Sequence, residues 1–290
     1  MKIVRAEHLG MCFGVRDAIT MVLKQADSEP VTVLGDLVHN KTVLAELYDR
    51  GIQIQNDARN VATGTVIVTA HGASAKRINA ARERGLNVLS AACPLVQAAH
   101  RVVKQLVHVG FHPVIIGKRD HVEVRGLTED FEEFDIVSNE DDVPRLKSRP
   151  RFGIAAQTTQ PIERVRYLAN LIRETFPDSE VRFIDTVCGP TKERQIAAIE
   201  MAQHSDIVIV IGGAESNNTR ELVQTCRRFC QRVYHVQTAA DLCEQWFCAN
   251  DRVGITAGTS TPDHVIDEVE RGIRALDDLQ KCLQGTSRQG

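Results

Sequence analysis

The chain alternates short apolar runs with longer amphipathic stretches. Val66-Ile67-Val68-Thr69-Ala70 ends in His71-Gly72-Ala73-Ser74 and leads into a helical pattern over 76–84. Phe152-Gly153-Ile154-Ala155-Ala156 ends in Gln157-Thr158-Thr159 and leads into 161–175. Ile207–Ile211 passes through Gly212-Gly213 and Ser216-Asn217-Asn218-Thr219 into 220–228, and Val253-Gly254-Ile255-Thr256-Ala257 passes through Gly258-Thr259-Ser260 into 262–276. Brief apolar runs bounded by Gly and Ser read as strands buried on both faces of a parallel sheet. Alternation with helices predicts an α/β fold. Pro161 and Pro262 are expected in first helical turns, where a missing N–H costs nothing.

Three cysteines share this context. Glu7-His8-Leu9-Gly10-Met11-Cys12 follows a predicted strand at 3–6 and precedes a predicted helix at 15–25. Ser90-Ala91-Ala92-Cys93-Pro94 lies between a strand at 87–89 and a helix at 95–109. Asp185-Thr186-Val187-Cys188-Gly189-Pro190 lies between a strand at 181–184 and a helix at 192–203. Their near-even spacing predicts three similar α/β lobes with mostly parallel sheets, at 1–93, 94–190 and 191–280, followed by a tail at 281–290 whose last residues, 284–290, are expected to fray. No linker or low-complexity segment separates the lobes. Ligands of open α/β sheets bind beyond the carboxyl ends of the strands, so three such ends define an expected site.

Composition narrows the function classes. The chain has 290 residues, 43% of them hydrophobic, enough for two or three domains of roughly 100–150 residues. A net charge of −3 provides no basic excess for displacing nucleic-acid counterions, and 4% aromatic residues provide no stacking platform for bases. The apolar runs fall far short of the roughly 20 residues that span a bilayer. The first residues, Met1-Lys2-Ile3-Val4-Arg5, carry charge where a secretory signal needs an apolar stretch. The expectation is a cytoplasmic protein that engages neither membrane nor nucleic acid. Its eight cysteines are then thiols or metal ligands rather than disulfides.

Spacing alone favours buried thiols for Cys12, Cys93 and Cys188, since free cysteine is among the most buried residue types. Their position before helix N-termini, which stabilise thiolates, leaves a cluster or a zinc site open. Three thiolates would leave one iron of a [4Fe–4S] cube open to substrate. Cys226, Cys230, Cys243 and Cys248 lack the usual C-x-x-C spacing of zinc sites and read as buried or surface thiols, with Cys282 a bystander in the last helix. The tips at His39-Asn40, His71-Gly72, Ser216-Asn217-Asn218 and Thr259-Ser260 bear short donors suited to phosphate oxygens, although Ser, Asn and Thr in such places also serve as helix caps. No Walker A or G-x-G-x-x-G string points to ATP or NAD. His121-Val122-Glu123 offers an imidazole and a carboxyl for proton relay, or else a surface pair beside Asp120 and Arg125. Thr158 offers a hydroxyl or a cap.

Taken together, Gly10-Met11-Cys12-Phe13-Gly14-Val15, Val38-His39-Asn40, Ala70-His71-Gly72, Cys93-Pro94-Leu95-Val96, His121-Val122-Glu123, Gln157-Thr158-Thr159, Ser216-Asn217-Asn218-Thr219 and Thr256-Ala257-Gly258-Thr259-Ser260-Thr261-Pro262-Asp263 resemble the LytB/IspH family of 4-hydroxy-3-methylbut-2-enyl diphosphate reductases. The likeness runs from Met1 to about Leu276. It implies three α/β lobes around a central iron–sulfur cluster, one [4Fe–4S] per chain held by Cys12, Cys93 and Cys188. It implies reductive removal of an allylic hydroxyl, giving isopentenyl and dimethylallyl diphosphates, with ferredoxin or flavodoxin as electron donor. By the same resemblance His39, His71, Ser216, Asn217, Asn218 and Ser260 bind the allylic diphosphate, His121 lines the pocket, Glu123 donates the proton, and Thr158 orients the leaving group and relays protons. The chain departs from the family pattern at Val122 (usually proline), Arg125 (usually acidic), Lys118 (usually histidine), Ser90-Ala91-Ala92 (usually Asp-Ala-Thr), Asn217 (usually serine) and Gly189-Pro190. Those departures keep two alternatives in view: a divergent paralogue reducing another allylic or phosphorylated compound, and a non-catalytic iron–sulfur sensor.

Overall fold

The computed structural model describes the backbone of residues 1–286, and the side chains of all of these except 280 and 282–286. Its strands are β1 (Lys2–Arg5), β2 (Val31–Leu34), β3 (Gln53–Gln55), β4 (Thr65–Val68), β5 (Asn87–Ser90), β6 (His112–Ile116), β7 (Asp135–Val137), β8 (Arg151–Ala156), β9 (Glu180–Phe183), β10 (Ile207–Ile211), β11 (Arg232–Val236) and β12 (Arg252–Ala257). The helices are α1 (Phe13–Ala26), α2 (Lys41–Asp49), α3 (Ala75–Glu83), α4 (Pro94–His108), α5 (Val122–Thr128), α6 (Ile162–Thr175), α7 (Gly189–Gln203), α8 (Asn217–Arg227) and α9 (Asp263–Thr286).

The strands form three four-stranded sheets, ordered β3-β2-β4-β5, β7-β6-β8-β9 and β11-β10-β12-β1, and every pairing is parallel. Each sheet therefore has the same order, 2-1-3-4, when its strands are numbered within the lobe. The third lobe takes its fourth strand from the start of the chain: Lys2 lies opposite Arg252 and Ile3 opposite Val253. The strands of each sheet come from one of the segments 1–93, 94–190 and 191–280, apart from β1, which lies in the first segment and joins β12 in the third sheet. Hydrophobic periodicity sees a strand at β1 but not its partner, because pairing is a tertiary choice.

Two compact units emerge. One comprises 1–12, 39–41 and 190 onward; the other comprises 13–38 and 42–189. In the first unit, β10 is buried on both faces, as its unbroken apolar run predicts. Ile207, Ile209 and Ile211 pack with Val265, Ile266, Val269 and Ile273 of α9. Val208 and Val210 face the other way, toward Ala198 and Met201 of α7 and Leu222 and Cys226 of α8. Burying each such side chain is worth about 1.5–3 kcal/mol. In the second unit, Ile116, Phe152 and Ile154 pack against Val165, Leu168 and Ile172 of α6, while Ile115 and Ala155 meet Val103 of α4 and Leu127 of α5. A Cβ at Gly153 would come within 2.9 Å of Phe111 and 3.0 Å of Leu106, so glycine lets α4 and the strand approach closely.

Three local details differ from the periodicity reading. Pro161 is the N-cap of α6 rather than its first helical residue, because its ψ of 123° is extended. Asn217 and Asn218 begin α8 instead of standing in a loop, with Ser216 as N-cap. The helix α9 continues to Thr286, so the expected tail is helical as far as 286; residues 287–290 and the side chain of Cys282 lie outside the described residues. Among the described residues no helix is long and apolar enough to cross a membrane.

Candidate active site

The shared strand order explains why the chemistry-bearing residues recur. In each lobe the fourth strand runs into a cysteine: β5 into Cys93, β9 into Cys188 and β1 into Cys12. The first strand leads to His39 after β2, His121 and Glu123 after β6, and Ser216 and Asn218 after β10. The third leads to His71 after β4, Thr158 after β8 and Ser260 after β12. First and third strands are neighbours, and in the first two lobes the crossovers that follow them leave in opposite directions, the switch point where parallel sheets open a crevice for ligands; in the last lobe β12 runs into α9, and its other neighbour is β1 from the start of the chain.

In the first unit, the Cys12 turn hangs from the end of β12. Gly10 N donates to Ala257 O at 3.1 Å, and Cys12 N donates to Thr259 O at 3.0 Å, one residue before Ser260. Gly10 has a φ of +74°, a conformation glycine adopts without the Cβ penalty. The buried Arg194 of α7 donates to the Gly10 carbonyl through both Nε, at 3.0 Å, and Nη2, at 2.8 Å. The 39–41 turn lies against Gly213, where a Cβ would collide with the carbonyl of His39. Thr219 N donates to the Ser216 hydroxyl at 3.3 Å, so Ser216 does cap α8. Asn218 is different: neither its amide nitrogen nor its amide oxygen has a hydrogen-bond partner, although the residue is only 2% exposed. The same holds for the Ser260 hydroxyl. Buried polar groups are normally satisfied, and each unmet one costs about 1–3 kcal/mol. Asn218, in the first turn of α8, and Ser260, just beyond β12, thus carry unmet polar atoms with the chemistry to bind a polar group.

In the second unit, Cys93 N donates to Ala70 O at 3.1 Å, which fastens the Cys93 main chain to the residue before His71. Gly14 leaves no room for a Cβ beside Cys93 Sγ. The rings of His71 and His121 meet edge to face, 5.5 Å apart at 83°. His121 caps α5, its Nδ1 accepting from Glu123 N at 3.1 Å. Glu123, in the first turn of that helix, is 1% exposed, so it belongs to no surface pair. Thr158 N donates to its Oε1 at 2.7 Å, and the carbonyl of the same Thr158 accepts from Cys188 N at 3.0 Å. A single residue therefore joins the carboxyl to the thiol turn. Burial pushes the Glu123 carboxyl up to about 7, against the pull of the backbone and hydroxyl hydrogen bonds from Thr158.

That shift predicts a pH signature. A carboxyl whose folded pKa is raised favours folding in its protonated form, and this contribution is lost as pH rises from the unfolded value near 4.5 through about 7. Relative to wild type, Glu123→Gln should gain stability across that window, by about 3 kcal/mol at its upper end. Parallel denaturant titrations at pH 5 and pH 8 measure it; a pH-independent difference would show that Glu123 titrates normally.

Sequence reasoning passed over several residues that organise these groups. Thr219 and Thr256 are fully buried with unpartnered hydroxyls behind the Ser260 loop. His100 of α4 lies under the His71 turn and under α5, within 3.1 Å of a Cβ placed on Gly72 and 3.4 Å of one on Gly126; burial lowers its pKa. Asp130 caps α3 through the N–H groups of Ala75 and Lys76, at 2.9 and 3.0 Å. Only spatial neighbours mark these residues. Cys226 and Cys230 are buried, and burial pushes the Cys226 thiol up to about 12, far from thiolate chemistry at neutral pH.

A three-sheet α/β protein with a thiol after the fourth strand of every lobe, buried unpartnered donors and a carboxyl able to hold a proton near neutrality has the equipment of a redox enzyme for a polar substrate. The chain belongs to the LytB protein family, whose model matches residues 3–274. It is 37% identical to 4-hydroxy-3-methylbut-2-enyl diphosphate reductase of Geobacter sulfurreducens over 97% of this chain and all of that protein. It is also 37% identical to the enzyme of the same name from Trichlorobacter lovleyi, over 93% and 96%. Among solved structures it resembles the E-1-hydroxy-2-methyl-but-2-enyl-4-diphosphate reductase of Plasmodium falciparum, with a TM-score of 0.87 at 27% identity, covering 93% of this chain and 87% of that one. It also resembles a structure of (E)-4-hydroxy-3-methyl-but-2-enyl diphosphate reductase, described as the terminal enzyme of the non-mevalonate pathway, with a TM-score of 0.67 at 34% identity, covering 94% and 99%.

Proposed function

We propose that this chain reduces 4-hydroxy-3-methylbut-2-enyl diphosphate to isopentenyl and dimethylallyl diphosphates, using one [4Fe–4S] cluster per chain held by Cys12, Cys93 and Cys188. The observation that carries this reading is the Thr158 backbone, which binds the buried Glu123 carboxyl on one side and the Cys188 turn on the other. The cysteines suit iron: all three are partly exposed and outside any disulfide, and glycine at 14 spares the Cys93 thiol the clash a Cβ would make. When bound, such a cluster supplies electrons and, at the iron without a thiolate, Lewis acidity toward the substrate oxygen.

The protein groups supply the rest. His39, His71, Ser216, Asn217, Asn218 and Ser260 hold the diphosphate, and its oxygens meet the unpartnered amide of Asn218 and hydroxyl of Ser260. His121 lines the pocket. Glu123, protonated near neutrality, gives its proton to the departing hydroxyl oxygen, and Thr158 orients that group. The balance is one C–O bond broken and one C–H bond formed, with two electrons and two protons consumed and water released. Ferredoxin or flavodoxin in the cytoplasm would bring the electrons. Anaerobic reconstitution followed by turnover with a reduced viologen dye tests the reading directly. A cluster-loaded protein that never reduces this diphosphate would leave the paralogue or the sensor in its place.

The anion assignment has its own test. His39→Ala, His71→Ala, Ser216→Ala and Asn218→Ala should each weaken pyrophosphate binding by about 1.5–3 kcal/mol in calorimetric titration, with iron content unchanged. Stability separates two of them. Ser216→Ala also removes a cap worth about 1 kcal/mol. Asn218→Ala removes an unsatisfied buried amide and should leave the protein as stable as wild type or more so. Unchanged binding in all four variants would remove the phosphate site.

A further inference from the structure

The Gly10-Met11-Cys12 turn is held from two sides. One is the strand-end loop of β12, through Gly10 N to Ala257 O and Cys12 N to Thr259 O. The other is a single side chain. Arg194, 7% exposed, directs Nε and Nη2 onto the Gly10 carbonyl, and its Nη1 donates to Pro190 O at 2.9 Å in the first turn of its own helix. The guanidinium is thus anchored to α7 while two of its donors converge on one carbonyl oxygen two residues before Cys12. Burying an arginine in order to clasp a main-chain carbonyl is costly unless the carbonyl must be kept in one place. Backbone contacts already tie the turn to β12, so the clasp supplies two things they do not: a rigid planar fork and a permanent positive charge.

We propose that Arg194 is a positioning residue for the Cys12 thiolate, fixing the Gly10–Cys12 turn and placing a fixed cation beside it. The inference rests on the iron–sulfur reading above. Adding an electron to a cluster makes it more negative, and a cation close by favours that state, so Arg194 raises the reduction potential. Holding the turn rigid slows loss of the iron that Cys12 ligates.

The test uses the full chain, reconstituted anaerobically, as wild type, Arg194→Gln and Arg194→Lys. Three readings are taken: the potential by redox titration, the electron paramagnetic resonance signal of the reduced protein, and the rate of iron release to a chelator. Arg194→Gln is expected to shift the potential to more negative values, to alter the resonance line shape, and to release iron about tenfold faster or more. Arg194→Lys keeps the charge but loses the fork. It should recover most of the potential while still releasing iron quickly. That split distinguishes positioning from mere structural support. If Arg194→Gln does not fold by circular dichroism, Arg194→Lys carries the test through its iron-release rate. A wild type that takes up about four irons per chain, with foldable variants matching it in all three readings, overturns the inference and leaves the proposed function standing. A wild type that takes up no iron overturns both.

Discussion

Glu123→Gln is expected to keep its cluster, bind the diphosphate and lose turnover by about 10²-fold or more, the loss typical of a positioned general acid. Glutamine preserves the shape of the site: its amide oxygen can still accept from Thr158 N, as Oε1 of Glu123 does at 2.7 Å. What disappears is the dissociable proton. In the wild type, burial lifts the carboxyl to about 7, so the protonated form is present at working pH. Activity of the wild type should therefore fall as pH rises above that value, and the residual activity of Glu123→Gln should not follow the same curve. Thr158→Val should lose less. Its main-chain links to Glu123 and to Cys188 survive the substitution, which removes only the hydroxyl and the hydrogen bond it gives the Glu123 carboxyl. Turnover measured in single-cycle and steady-state assays decides the matter, and a fully active Glu123→Gln would remove Glu123 from the chemistry.

The second large effect is on iron. Changing Cys12, Cys93 or Cys188 to serine should abolish the broad visible absorption near about 400 nm expected of thiolate-bound clusters and lower the iron content from about four per chain. The same change at Cys226, Cys230, Cys243 or Cys248 should leave both intact. Cys226 and Cys230 sit in the packed face between β10, α7 and α8, and Cys226 holds its proton too tightly to serve as a thiolate. Serine there costs packing rather than metal, so those variants should show lower thermal midpoints with normal spectra. Metal analysis after anaerobic reconstitution separates the outcomes. Iron lost from the second group but not from the first would overturn the ligand assignment.

The local pattern was a good guide wherever one segment decides its own structure. The strand at Ile207–Ile211 matches the expected run, because a strand buried on both faces is apolar at every position. The helices after Cys93 and Cys188 begin at Pro94 and at Gly189-Pro190, where a proline without a donor N–H suits the first turn. Boundaries elsewhere moved by a few residues, most usefully at α8. Ser216 caps that helix by accepting from Thr219 N, so Asn217 and Asn218 present their side chains from its first turn.

The residues themselves therefore determined the α/β alternation, the parallel character of the sheets, the placement of three cysteines and the short polar donors at strand ends, and the family these strings belong to. Periodicity and turn chemistry act over a few residues and leave a direct mark in the order of side chains. The tertiary structure alone decided that β1 completes the sheet of the last lobe, which gives all three cysteines the same place after a fourth strand. It alone decided that Glu123 is buried rather than a surface charge, that Thr158 joins it to Cys188, and that Arg194 closes on Gly10 from 184 positions away in the chain. Burial, and the pKa that follows from it, are set by atoms remote in sequence, and no pattern of neighbours along the chain records them.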